Sequence, residues 1–285
     1  MTTDTPVYPV TAAAERAFAG APDPRFRQVM DALVRHLHAF VAEVELTPQE
    51  WATAIDFLTR TGQTCTDIRQ EFILLSDTLG VSVLVDEIAN PKPPPATPSS
   101  VLGPFYTHDA PEIAIGDTIA KSGRGELTFV RGTVRDVTGA PIPHALVEAW
   151  ETNGDGLYDN QYAVRDAPDY RGYLHTAPDG TYAFYAVKPV SYSVPTDGPV
   201  GEMLRASGRL SMRPAHLHLK VSADGYAPLT TSVYTAGDPY IDKDAVFGMK
   251  PELIRTYRPY ESAVHGRLDP APVYVLDFDV VLPPA

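Results

Sequence analysis

The chain is expected to be mainly β, with an antiparallel β-sandwich core preceded by an N-terminal helical segment. Three observations predict this. Of 28 prolines and 20 glycines in 285 residues, the stretch 25–90 holds only Pro48, Gly62 and Gly80, so turn-forming residues concentrate beyond it. Within 25–90, apolar side chains recur every three or four positions, the period of one helix face. From Leu127 onward they come in short runs rich in Val, Thr and aromatics, separated by Gly, Pro and Asp, which is the signature of strands joined by turns rather than helices. Residues 1–98 are assigned to the helical domain and its linker, and residues 99–285 to the sandwich domain.

Phe26, Met30, Leu33, Leu37 and Phe40 give the first helix one apolar stripe. Thr47-Pro48-Gln49-Glu50 opens the second: Thr47 caps, Pro48 takes the first helical position and Glu50 reaches back to the cap. Trp51, Ile55 and Leu58 follow on one face. Ile68, Phe72, Leu75 and Leu79 mark a third helix. The run Asn90-Pro91-Lys92-Pro93-Pro94-Pro95-Ala96-Thr97-Pro98 is a stiff, extended linker. So short a helical segment buries little surface by itself and should pack on the second half or on another subunit. The strands expected are 127–134, 145–150, 182–188, 216–222, 229–234 and 273–281, with turns such as Asp179-Gly180 between them.

The composition, 44 % hydrophobic and 21 % charged, is that of a globular protein. A net charge of −13 without a basic run argues against nucleic acid or an anionic membrane as partner. Cys65 is the single cysteine, which excludes an intrachain disulfide and thiolate-cluster metal sites. The start Met1-Thr2-Thr3-Asp4 lacks the basic and apolar regions of a secretory leader, and no apolar run approaches the ~20 residues of a membrane helix. A cytoplasmic protein without membrane insertion is expected.

Two His-x-His pairs invite comparison. His36 and His38 fall in a helical stripe, where residues two apart point about 200° apart and cannot share a metal. His216 and His218 fall in a strand, where alternate side chains share a face, leaving Leu217, Leu219 and Val221 for the other. Two imidazoles on one rigid face can anchor a transition metal, or can simply be polar residues on a half-exposed strand. Thirteen of the 15 tyrosines follow residue 150, so phenol oxygens are available to the same region. Tyr158 and Tyr192 both occupy turn-like stretches from which a side chain can point inward.

Tyr158, Tyr192 and Arg213-Pro214-Ala215-His216-Leu217-His218, in this order and spacing, resemble the intradiol ring-cleavage dioxygenases. Leu102-Gly103-Pro104-Phe105-Tyr106, Ala145–Trp150 and Gly237-Asp238 match as well, and the likeness runs from about residue 25 to the end. It implies one ferric ion per chain, held by Tyr158, Tyr192, His216 and His218. Ferric iron is a hard acid suited to phenolate, and binding displaces the phenol proton. Aromatic diols or triols and O2 would be the substrates, and the ring would open between the hydroxylated carbons to a muconate. Tyr192 would leave the metal carrying a substrate proton, and Arg213 would stabilise negative charge on the ring.

The resemblance also implies a ring pocket drawn from Leu74, Asp77, Val101, Leu102, Gly103, Pro104, Phe105, Val194, Pro195, Arg213 and Val246. It implies a homodimer formed through the N-terminal helices, with a lipid held at that interface in some relatives. Within the family, Glu71–Asp77, Val194–Gly201 and Asp244–Gly248 look most like hydroxyquinol 1,2-dioxygenases; catechol and chlorocatechol enzymes are the alternative. A β-sandwich binding module with structural tyrosines and histidines is the reading from a different class. Ser232 falls where relatives often place Gln or His behind the metal. Asp77, ending an apolar run, would accept a hydrogen bond from the third hydroxyl of hydroxyquinol, unless it caps a helix beginning near Thr78.

Overall fold

The computed structural model describes residues 8–285 apart from 68 and 92. Ile68 of the third expected helix, Lys92 of the linker and the Met1-Thr2-Thr3-Asp4 start therefore lie outside the described residues. The chain divides into two compact units, residues 1–63 and 64–285. No described helix is long and apolar enough to cross a membrane.

In the first unit, helices α1 (Pro9–Phe18), α2 (Pro24–Glu43) and α3 (Pro48–Thr64) each begin on a proline, whose fixed φ and missing N–H suit a first turn. Asp23 caps α2 by accepting from Arg25 N at 2.8 Å. The capping box of α3 forms as expected: Thr47 N donates to Glu50 Oε2 at 2.9 Å and Glu50 N donates to Thr47 Oγ1 at 3.3 Å. The Thr47 bonds hold the Glu50 carboxyl below its usual range. His38 Nδ1 lies 2.8 Å from Thr11 Oγ1 and ties α2 to α1, whereas His36 is exposed. Phe26, Leu33, Leu37 and Phe40 of α2, and Trp51, Ile55 and Leu58 of α3, stay exposed.

In the second unit the third expected helix is two. α4 (Glu71–Thr78) stops at Gly80, which takes the left-handed conformation (φ 75°), and α5 (Val81–Ala89) begins beyond it. The buried face of α4 carries Glu71, Leu74, Asp77 and Thr78, while Phe72 and Leu79 are exposed. The apolar stripe is thus not the inward face, because polar partners await Glu71 and Asp77 inside. Asp77 is in the last turn of α4 and caps no helix.

One five-stranded sheet is built on β1 (Leu127–Asp136), with β4 (Thr181–Val187) antiparallel to it. β11 (Tyr274–Asp277) runs parallel along residues 128–131 of β1, β12 (Val280–Leu282) runs parallel along 134–136, and β10 (Arg258–Pro259) pairs with β11. The expected 273–281 strand therefore breaks. The break falls at Gly132, where a Cβ would overlap the Phe278 carbonyl. The second sheet has the order β3 (Arg171–His175), β2 (Leu146–Trp150), β7 (His216–Ser222), β8 (Leu229–Thr235), β9 (Ile254–Arg255), with β8 and β9 parallel. β5 (Tyr192–Ser193) and β6 (Met212–Arg213) form a small ribbon. Val130, Phe184 and Leu276 of one sheet share a core with Val147, Leu217, Leu219 and Val233 of the other.

Two expectations are corrected. The sheets are mixed rather than wholly antiparallel, because alternation tells which face a residue takes but not the direction of its partner strand. The chain is also not mainly β: among the described residues, helices hold more residues than strands. Long Pro- and Gly-rich connections occupy much of the second half, and α6 (Pro199–Ala206) lies within one of them.

Candidate active site

β7 carries His216 and His218 on the face opposite the core residues Leu217, Leu219 and Val221, as its alternation dictates. Register sets their neighbours. His218 lies opposite Ser232 of β8 and Trp150 of β2, and His216 opposite Tyr234. Trp150 stacks on the His218 ring at 4.7 Å and 3°, and Ser232 Oγ lies 3.1 Å from His218 Nδ1. His216 Nδ1 donates to the Pro214 carbonyl at 2.7 Å, which fixes the tautomer and leaves Nε2 with its lone pair. The two Nε2 atoms are 3.0 Å apart.

Tyr158 and Tyr192 complete the cluster, their hydroxyls 3.1 Å apart. Tyr158 leaves the loop after β2; Phe105 stacks on it at 4.4 Å. The next residue, Asp159, is fully buried and ion-paired with the buried Arg171, which also donates to the Phe105 carbonyl at 3.0 Å and to Thr107 Oγ1 at 2.7 Å. One guanidinium therefore anchors both Tyr158 and its stacking partner. Tyr192 is not in a turn, as its surroundings suggested. It pairs with Arg213 in the β5–β6 ribbon, and that pairing brings the arginine to the site. Gly156 (φ 81°) passes close behind, where a Cβ would lie 3.2 Å from Tyr192 Cβ.

Arg213 Nη1 reaches His216 Nε2 at 3.0 Å and Tyr192 Oη at 3.4 Å, and Nη2 reaches Tyr234 Oη at 3.2 Å. Its Nε donates to Asp244 Oδ1 at 3.1 Å. Burial opposes the Arg213 charge, but Asp244 and the neighbouring phenols more than offset it, and the guanidinium stays protonated. Asp244 is held by the amides of Val246 and Gly248, at 3.2 and 3.0 Å. Asp244 and Tyr234 had no assigned role from the sequence. The only signal was Asp244's position at the head of a turn, where a carboxylate can accept its own following amides.

All four cluster residues are at most 7 % exposed. Burial, with Arg213 beside it, drives the His216 pKa well below its usual range; burial, with His216 beside it, does the same for His218. Both imidazoles are neutral. Burial, with Tyr192 nearby, pushes the Tyr158 phenol well up, so its phenolate requires a cation for stability. Among the described residues no three His, Cys, Asp or Glu side chains converge on a metal position. The phenol–imidazole cluster is the candidate, with hard oxygens and neutral nitrogens facing one another.

Leu74, Pro104, Phe105 and Pro195 line a cavity of about 630 Å³. Leu74, Val101, Val194 and Val246 share one apolar cluster. A Cβ on Gly103 would lie 3.8 Å from His218 Cε1. Leu102 is 40 % exposed and joins neither group. Asp77 lies outside the cavity lining: it is 4 % exposed, and burial raises its pKa against the lowering influence of Ser82 and Arg213.

A family model described as Dioxygenase matches residues 101–284, and one described as Catechol dioxygenase N terminus matches residues 23–97. The chain belongs to the intradiol dioxygenase family. It is 45 % identical over 273 residues to a hydroxyquinol 1,2-dioxygenase of Nocardioides simplex, covering 95 % of this chain and 93 % of the relative. It is 44 % identical over 275 residues to a 6-chlorohydroxyquinol 1,2-dioxygenase of Cupriavidus pinatubonensis, covering 96 % of each. The solved structure of hydroxyquinol 1,2-dioxygenase from Pseudomonas putida DLL-E4 superposes with a TM-score of 0.91 at 44 % identity, covering 97 % of this chain and 98 % of that one.

Proposed function

We propose that this chain is a hydroxyquinol 1,2-dioxygenase that opens 1,2,4-trihydroxybenzene between its adjacent hydroxylated carbons with O2, giving a hydroxymuconate and its tautomer maleylacetate. The observation that carries this reading is the buried meeting of two phenols and two neutral imidazoles around one point, with Arg213 against them. Tyr158, Tyr192, His216 and His218 would hold one ferric ion. When bound, that ion supplies Lewis acidity toward the two ring oxygens and the redox partner that makes a ring carbon reactive to O2.

The chain's own groups do the rest. Tyr192, the more exposed of the two phenols and the one beside Arg213, is the group that would receive a substrate proton at its Oη. Arg213 keeps its charge and sits where anionic ring oxygens would gather. Leu74, Phe105, Val101, Val194 and Val246 would form an apolar wall that excludes water, with Leu102, Gly103, Pro104 and Pro195 completing it. Asp77 would read the third hydroxyl from α4. In this scheme residues 99–285 form the catalytic domain and residues 1–98 the helical domain. The exposed apolar faces of α2 and α3 are proposed to pair with those of a second copy, with a lipid between them.

Oxygen uptake and product spectra with hydroxyquinol, catechol and chlorocatechols test the activity. Hydroxyquinol should have the highest kcat/KM; no uptake with any of the three would sink the proposal. Metal analysis and a visible spectrum test the site independently. The wild type should carry iron and the wine-red band of ferric tyrosinate, Tyr158→Phe and Tyr192→Phe should lose both, and His36→Ala should lose neither. Unchanged colour and turnover in both tyrosine variants would refute the ligand assignment.

A further inference from the structure

Two sequence stretches singled out above, around Glu71 and across Val194–Gly201, meet at Arg69. Its Nη1 donates to Asp197 Oδ2 at 2.8 Å and its Nη2 to Asp197 Oδ1 at 2.9 Å, a two-pronged pair. Its Nε and Nη2 also donate to Glu71 Oε2, at 3.1 and 2.9 Å. Glu71 is only 1 % exposed, and its other oxygen accepts from Val200 N at 3.2 Å, in the first turn of α6. A Cβ on Gly198 would overlap Glu71 Oε1 and lie 2.8 Å from Arg69 Nη2, so the segment closes tightly over the pair. Arg69 and Glu71 line the 630 Å³ cavity, as do Leu74, one turn along α4, and Pro195. The three charges therefore clasp α4, which carries Leu74 into the cavity wall, to the segment that carries Pro195 into it.

We propose that Arg69, Glu71 and Asp197 are positioning residues that set the width of the ring pocket and so decide which ring substituents enter. The proposal rests on the dioxygenase reading above. A charge clasp suits this task because carboxylate–guanidinium pairs fix both distance and angle, whereas an apolar contact lets the walls slide. None of the three hydrogen-bonds to the four-residue cluster, so the clasp can be loosened without altering the groups that would hold the metal.

The test compares kcat/KM for hydroxyquinol and for 6-chlorohydroxyquinol in the full-length, iron-loaded protein. Asp197→Ala opens the exposed end of the clasp; Glu71→Gln keeps an acceptor for Val200 N and removes the charge; Arg69→Lys keeps the charge and loses the fork. We expect the chlorinated-to-unsubstituted ratio to move by about tenfold in Asp197→Ala and Glu71→Gln, through KM, with Arg69→Lys intermediate. Iron content and the visible band should stay at wild-type levels. Ratios within about twofold of wild type in folded Asp197→Ala protein overturn the proposal. So does an equal fall in kcat for both substrates with a lowered melting temperature, which is the mark of a merely structural brace. If Glu71→Gln does not fold, Asp197→Ala decides, since that side chain is 72 % exposed. Wild-type protein that takes up no oxygen with either substrate overturns the functional reading and removes the pocket the clasp is said to shape. An active wild type with unmoved ratios overturns the clasp alone.

Discussion

At the scale of single residues, burial decides most of the chemistry. Glu151 is 1 % exposed; one oxygen accepts from Val187 N at 2.9 Å and the other has no partner among the described residues. Burial holds its carboxyl well above the usual 4.5. A group whose folded pKa is raised contributes full stability below its unfolded value and loses it as pH climbs through the folded one. Glu151→Gln keeps the acceptor and removes the titration. Its stability relative to wild type, measured by urea denaturation, should therefore match near pH 4.5 and rise toward pH 8, by about 1.4 kcal/mol for each unit of elevation. Equal differences at both pH values would contradict this. Asp77 makes a second case. If its carboxylate reads the third hydroxyl, Asp77→Asn should lower the hydroxyquinol-to-catechol ratio of kcat/KM by about ten- to hundredfold, the worth of a charge-assisted bond of about 1.5–3 kcal/mol. An unchanged ratio would show that the carboxyl does not read the ring. The sequence made His216 and His218 legible because seven residues of alternation specify a face. It did not reveal that Tyr192 sits beside Arg213, since a two-residue strand has no period to detect.

At the scale of elements, what was legible followed from local chemistry. The α3 capping box and the β7 boundaries needed only neighbouring residues. The break between α4 and α5 was foreseeable in kind, because Gly80 is the residue that tolerates φ 75°, yet the apolar stripe through Phe72 and Leu79 pointed the helix the wrong way. The parallel pairing of β11 and β12 with β1 depends on partners more than 130 residues away, which no local pattern encodes. Arg171 shows how such distant segments are fixed. It joins β3 to Asp159 and to the 105–107 loop, with both charges buried. Arg171→Met leaves Asp159 without its buried partner and should cost about 3–5 kcal/mol by denaturant titration. Tyr158 would lose its anchor, so iron retention should fall in parallel. A loss below about 1 kcal/mol would mean that Arg165, which also pairs with Asp159 at 2.8 Å, carries the site.

At the scale of the whole molecule, the exposed apolar faces are the main unspent surface. Leu33, Leu37 and Phe40 on α2 and Trp51, Ile55 and Leu58 on α3 are each between 44 and 59 % exposed. The proposed pairing with a second copy would cover these side chains. Sedimentation at micromolar concentration should give a dimer, and Leu37→Glu with Ile55→Glu should shift it to monomer; a wild type that sediments only as monomer would count against pairing. The two tryptophans differ sharply in setting: Trp51 is 59 % exposed, whereas Trp150 is 2 % exposed and lies flat on the His218 ring. With the proposed ferric ion bound, an indole that close to the coloured centre would pass its excitation to it and go dark. In Trp51→Phe protein the remaining fluorescence would become an internal gauge, falling in step with each iron taken up and returning when a chelator strips the site.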